Sequence, residues 1–139
     1  MPTTEAFDEI AENFELFDDW EDRYRYVIDL GKDMPELAEE RRTDAAKVEG
    51  CASQVWLVPD LQGDRLHFEG DSDAMIVRGL IAVLVALISG QRVDDIRNTD
   101  IRAELARLQL DQALSAQRSN GLRAMVTRIE DIARAASAA

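Results

Sequence analysis

The chain has 139 residues, with 28 acidic and 16 basic side chains, one histidine and a formal net charge of −12. That length sustains one core, burying about two thirds of the unfolded surface without disulfide or metal staples, and 46% hydrophobic content with seven glycines and three prolines belongs to a folded globular protein, not a disordered or collagen-like one. Nucleic acid is not an expected partner, because binding it requires clustered Lys and Arg to displace counterions from phosphates.

The first forty residues read as two helices. Phe7, Ile10, Ala11 and Phe14 recur at helical spacing, and Trp20, Tyr24, Val27 and Ile28 share one face of a second amphipathic stretch. Asp18 with Glu21 three residues later predicts a capping box at its start, and Gly31 followed by Pro35 predicts its stop. Residues 1–40 hold 14 acids and 3 bases, a net charge of −11, whereas residues 41–139 hold 14 acids and 13 bases. From Lys47 the pattern changes to strands: Val48, then Val55 to Val58 with Pro59 ending the run, then Leu66 to Phe68 after Gly63. This predicts an antiparallel hairpin of residues 54–58 with 65–70, preceded by a short strand around 47–50. Asp71, Ser72 and Asp73 offer N-cap oxygens to a helix from Met75 to about Ser89. Its middle, residues 79–88, has no polar side chain; it is shorter than the roughly 20 apolar residues of a membrane span and is expected as the central buried helix. Short helices are expected over 93–96 and 100–108. A last helix is expected with Ser119 or Asn120 as cap and Leu122, Met125, Val126, Ile129, Ile132 and Ala133 on one stripe. With no internal repeat and no linker, residues 1–139 are expected to form one α+β domain, a small antiparallel sheet of about three strands packed against several helices.

Chemistry-bearing side chains are few. Cys51 is the only cysteine, so no intramolecular disulfide forms, and residues 1–7 lack the basic segment and apolar run of a secretory leader; both features fit a reducing cytoplasm. Cys51 and His67 fall short of the ligand set of a zinc site or an iron-sulfur cluster, so no cofactor or metal of its own is expected. The glycines stand singly, with no phosphate-cradling loop, and the acids read as solvated surface. Cys51 is distinguished by position, directly after Gly50 and before Ala52-Ser53-Gln54, between a strand end and the next strand. A lone cysteine is ordinarily a small buried hydrophobe. A glycine neighbour, however, lets the backbone turn sharply and leaves the sulfur accessible, as a thiolate nucleophile requires. On these residues alone three classes stay open: a reactive thiol protein, a cysteine hydrolase or peroxidase with His67 as base, and an interaction domain with an inert Cys51.

At the same residues the sequence becomes recognisable. Val48-Glu49-Gly50-Cys51-Ala52-Ser53-Gln54-Val55-Trp56 resembles the signature of the SufE family, sulfur acceptors that work with SufS-type cysteine desulfurases and that include the CsdE proteins. Leu30-Gly31 with Met34-Pro35-Glu36-Leu37 resembles the family's segment before the cysteine. Gly70-Asp71-Ser72-Asp73-Ala74 with Ile76-Val77-Arg78-Gly79-Leu80-Ile81-Ala82 resembles its capped central helix. Leu114-Ser115 and Arg118-Ser119-Asn120-Gly121-Leu122 with Ala124-Met125 resembles its C-terminal segment. Together these cover about residues 14–135 in order. Ala52 stands where a glutamine is common, and Ala116-Gln117 replaces a usual Pro-Ser pair.

The resemblance implies a SufE-like fold and sulfur relay in iron-sulfur cluster assembly. A SufS-like or CsdA-like desulfurase, using pyridoxal phosphate, would hold sulfur as a persulfide; Cys51 would take it, stimulate that enzyme and hand the sulfur to a cluster scaffold, as an accessory protein and not a stand-alone enzyme. Cys51 is then the persulfide-forming nucleophile, sheltered by apolar neighbours at rest. Gly50, Ser53, Gln54, Asp73 and Arg118 are the loop and partner-binding candidates, although Asp73 serves equally as a helix cap and Arg118 as a solvated arginine. A monomer or weak homodimer is expected, with no membrane partner. The acidic N-terminal pair is expected to provide solubility, the sulfur-transfer face coming from the nearly neutral remainder.

Overall fold

The N-terminal periodicity folds into two helices packed on a third. In a computed structural model describing residues 4–51, 53–110 and 114–138, α1 spans Glu5–Leu16 and α2 spans Trp20–Asp33. Thr4 caps α1 by accepting from the Phe7 N–H, and Phe7, Ile10, Ala11 and Phe14 form its buried stripe. Asp19, not Asp18, caps α2, accepting from the Asp22 N–H. Gly31 does not stop this helix. It lies buried in the last turn, where an added Cβ would stand 2.6 Å from the Gly79 nitrogen. The stop comes at Met34, which is extended, as the residue before a proline prefers.

Strand β1 (Val55–Gln62) pairs antiparallel with β2 (Arg65–Ser72), in register from Val55 opposite Ser72 to Gln62 opposite Arg65. Between them Gly63 takes a φ of 64°, the left-handed region that glycine reaches without strain. Pro59 does not end the run. It sits on an edge strand opposite Phe68, whose own N–H turns away to the Ser89 hydroxyl, so no ladder bond is lost. The third strand, β3, is Gln91–Arg92 on the far side of β2. The strand expected around residues 47–50 amounts to a single bridge from Lys47 to Trp56, supported by Val48 N–H to Val55 O and Leu57 N–H to Ala46 O.

Helix α3 (Met75–Ile88) is the central buried helix its composition predicts, with Leu80, Ile81, Leu84, Leu87 and Ile88 at 1% exposure or less. It lies on the sheet face that carries Leu57, Leu66, Phe68 and Gly70; at Gly70 an added Cβ would come within 2.7 Å of Ile81. Ala74 occupies the N-cap of α3 without a side-chain bond, so the expected caps are absent. β2 runs on to Ser72, which keeps those side chains on the strand and its exit. Asp71, fully buried, accepts from the Leu37 and Ser72 N–H groups and from Arg42 and Arg78. Arg78 also donates to the Gly31 and Met34 carbonyls, tying the end of α2 to α3. Ser72 accepts from the Ala74 N–H, and Asp73 from the Gln54 N–H.

Helix α4 (Val93–Asn98) and helix α5 (Ile101–Ala106, capped by Asp100) follow. The last helix, α6 (Ala116–Ala138), starts before the expected caps: Ser115 accepts from the Arg118 N–H, which leaves Ser119 and Asn120 inside the helix. Its stripe is buried as predicted at Leu122, Met125, Val126, Ile129 and Ala133. The class is α+β, helices packed on a three-stranded antiparallel sheet. Among the described residues no helix is long and apolar enough to cross a membrane.

Candidate functional site

The loop bearing Cys51 is fixed at both feet. On one side Ala46 and Val48 bond β1 through the backbone. On the other, Gln54 and Asp73 bond reciprocally: the Gln54 N–H donates to the Asp73 carboxylate at 3.1 Å, and the Asp73 N–H to the Gln54 carbonyl at 3.3 Å. Between the feet Gly50 adopts a φ of 89°, a conformation that strains any side chain, and turns the chain onto α6. An added Cβ at Gly50 would rest 3.4 Å from the Ala124 methyl. The next residue, Cys51, is half-buried, its Sγ 3.7 Å from the Gly121 carbonyl oxygen.

Behind the thiol lies a cavity of about 60 Å³. Val55, Val77, Leu80, Leu122 and Met125 give it an apolar lining; Ser53, Gln117 and Arg118 complete it, with Arg118 the one charged side chain among the described lining residues. Burial pushes the Cys51 thiol above its ordinary pKa, since the cavity stabilises the neutral form over the thiolate. The resting site therefore shelters a thiol and does not display a thiolate.

The predicted site residues separate into three groups. Cys51, Ser53 and Arg118 meet at the cavity. Gly50, Gln54 and Asp73 shape the loop from its turn and its second foot. His67 is not brought to the thiol: it faces Asp60 across the hairpin, five residues along β2 from Ser72, about 17 Å at strand rise, beside Gly90. Ala52 lies outside the described residues. Sequence reasoning missed the part played by α6, where Gly121 and Ala124 give the loop room to lie down. The signal was an isolated glycine within a helical pattern. The departure at Ala116-Gln117 is also accounted for, because Ala116 follows the Ser115 cap, the first helical position where proline is favoured, and Gln117 lines the cavity. No group of three or more His, Cys, Asp or Glu side chains placed to hold a metal ion occurs among the described residues.

Fold and site define a small α+β protein that keeps one thiol half-sheltered on a glycine-cysteine loop against its C-terminal helix. The chain belongs to the SufE family, described as an Fe-S metabolism associated domain, whose sequence model matches residues 8–133. It is 53% identical to an uncharacterized SufE-like protein of Rhizobium etli over 96% of this chain and 93% of that one. A SufE-like protein of Rhizobium meliloti is 50% identical over 90% and 92% of the two chains. The solution structure of a hypothetical protein from Thermus thermophilus superposes with a TM-score of 0.80 over 99% of this chain and 100% of that one, at 15% identity, which establishes the shared fold. Family membership assigns the protein to iron-sulfur metabolism.

Proposed function

We propose that Cys51 is the acceptor of sulfane sulfur from a cysteine desulfurase of the SufS or CsdA type. The observation that carries this reading is the sheltered setting of the chain's single thiol, on a glycine turn beside a mainly apolar cavity of about 60 Å³. Cys51 gives up its thiol proton and the resulting thiolate attacks the outer sulfur of the desulfurase persulfide; a new S–S bond forms on Cys51, the donor S–S bond breaks, and the donor cysteine leaves as a thiolate that takes up a proton. No net oxidation or reduction occurs. Clearing the persulfide stimulates the desulfurase, whose pyridoxal phosphate belongs to that enzyme. The absence of a second cysteine suits a carrier, since a neighbouring thiol would resolve the persulfide and release sulfide. The sulfur then passes to a cluster scaffold. Asp73 acts through the Gln54 backbone as a positioning residue for the loop, and Arg118 contributes a charged side chain to the cavity lining.

The test is intact-mass measurement after incubation with a desulfurase and cysteine. A gain of about 32 Da removable by dithiothreitol is expected on Cys51. The Cys51→Ser variant should fold and dock while losing both the added mass and the stimulation. An unmodified Cys51 under desulfurase turnover would overturn the proposal.

A further inference from the structure

The thiol cavity lies on a seam between two bodies: the sheet with α3 and the anchored loop on one side, α6 on the other. A stripe on α6 at helical spacing reads the loop in reverse order. Gly121 meets Cys51 with Arg118 lining the same cavity, Ala124 lies beside Gly50, and Arg128, one further turn along, donates to the Ala45 carbonyl just before the first foot. On its other flanks α6 is tied to α4 by Arg97 with Ser137 and to α5 by Arg102 with Glu130. Across the seam, by contrast, the contacts at Gly121 and Ala124 are short and nondirectional apart from the weak thiol bond.

We infer that Arg128 is a positioning residue that holds α6 against the loop and thereby sets how far Cys51 is sheltered. Among the described residues its guanidinium is a charged tie spanning the seam, fixed to a main-chain carbonyl that is itself locked beside the Ala46 to Leu57 backbone bond. Releasing it frees the Arg118 to Ala124 turn to draw back, opening the cavity without disturbing either foot. Neither the glycine-cysteine signature nor the cap of α6 contains this residue. The geometric assignment stands on its own; its consequence for sulfur transfer rests on the acceptor role proposed above.

Alkylation of Cys51 by iodoacetamide in the intact protein, followed by mass across pH 6 to 10, tests the assignment without a desulfurase. In Arg128→Ala the rate at neutral pH should rise about fivefold, the shift produced by losing one hydrogen bond of ordinary strength, and the midpoint of the pH profile should move down towards that of a free thiol. Arg128→Lys, which keeps a donor, should recover most of the wild-type profile, and Arg123→Ala, on the exposed side of the same helix, should leave it unchanged. A wild-type rate and midpoint in Arg128→Ala would overturn the inference, as would an equal rise in Arg123→Ala, which would mark general loosening of α6. Should Arg128→Ala fail to fold by circular dichroism, Arg128→Gln read against Arg128→Lys decides by the same rates and midpoints. The expected rise in alkylation of Arg128→Ala combined with no added sulfur on the wild-type protein would reject the acceptor role and leave the Arg128 assignment standing.

Discussion

At Asp71 a carboxylate with no exposed surface stays ionised because its surroundings are built for the charge. Burial opposes ionisation, but the Leu37 and Ser72 amides and the Arg78 guanidinium together outweigh it and hold the pKa below the usual carboxylate range. A group whose pKa is depressed by folding stabilises the fold above its unfolded pKa, near 4 for aspartate, and loses that contribution as the pH falls through the folded value. Asp71→Asn leaves Arg78 buried without its counter-charge, and a loss of about 3–5 kcal/mol at pH 7 is expected. Urea denaturation at pH 7 and pH 3 checks both parts: the gap between wild type and variant should narrow at the lower pH, and a constant gap would reject the electrostatic account. Asp71, Ser72 and Asp73 carried the sequence signature of helix caps. Oxygen-bearing residues at a strand exit look the same whether they bond the next helix or a distant loop, and only the partners at Leu37, Arg42 and Gln54 tell the two apart. Arg78 was the overlooked cue, since a charge at the start of an otherwise apolar helix requires a buried partner. Cys51, by comparison, was legible because its information is local, contained in the glycine before it and the strand after it.

The helices illustrate why elements are easier to read than their junctions. Apolar spacing located α1 and the buried stripe of α6, and an unbroken apolar run located α3, because those patterns are the cause of their burial. The same pattern is silent about how closely two helices approach. Gly31 resembled a stop signal, yet it meets Gly79 where α2 crosses α3. An added Cβ at Gly79 would fall 2.0 Å from the Val27 carbonyl oxygen, an overlap that only a shift of one helix relieves. Gly79→Ala should therefore destabilise the protein by about 3 kcal/mol or more, despite alanine's better helix propensity of roughly 1 kcal/mol. Thermal and chemical denaturation measure this, and a neutral or stabilising result would show that the pair separates freely. Strand limits were misjudged for a related reason. Pro59 breaks an interior strand but is tolerated on β1, the outer strand of the order β1-β2-β3, where its neighbour Phe68 hydrogen-bonds to Ser89 instead.

Charge is distributed unevenly over the whole molecule, and no described residue of the uneven part lines the thiol cavity. Residues 1–40 carry 14 acids against 3 bases. Their helices pack on α3, with Glu5, Glu9, Glu12 and Glu15 exposed. All described residues lining the thiol cavity come from position 51 onward, by way of the loop, β1, α3 and α6. Charges more than about 10 Å apart in solvent are largely screened at 0.1 M salt, so the exposed glutamates of α1 act on a partner only where it comes within that range of them. A partner confined to the loop and α6 meets Arg118 and Arg128 but not the glutamates of α1, and its affinity should change little with ionic strength. For a desulfurase binding in this way, titration calorimetry is expected to show less than about a tenfold change in Kd between low and moderately high salt. Converting Glu5, Glu9, Glu12 and Glu15 together to Gln should lower solubility while leaving desulfurase stimulation within about twofold, because the net charge they supply resists self-association and takes no part in docking. A steep loss of affinity on adding salt that disappears in the quadruple variant would place the acidic helices in the interface and overturn this division of the surface.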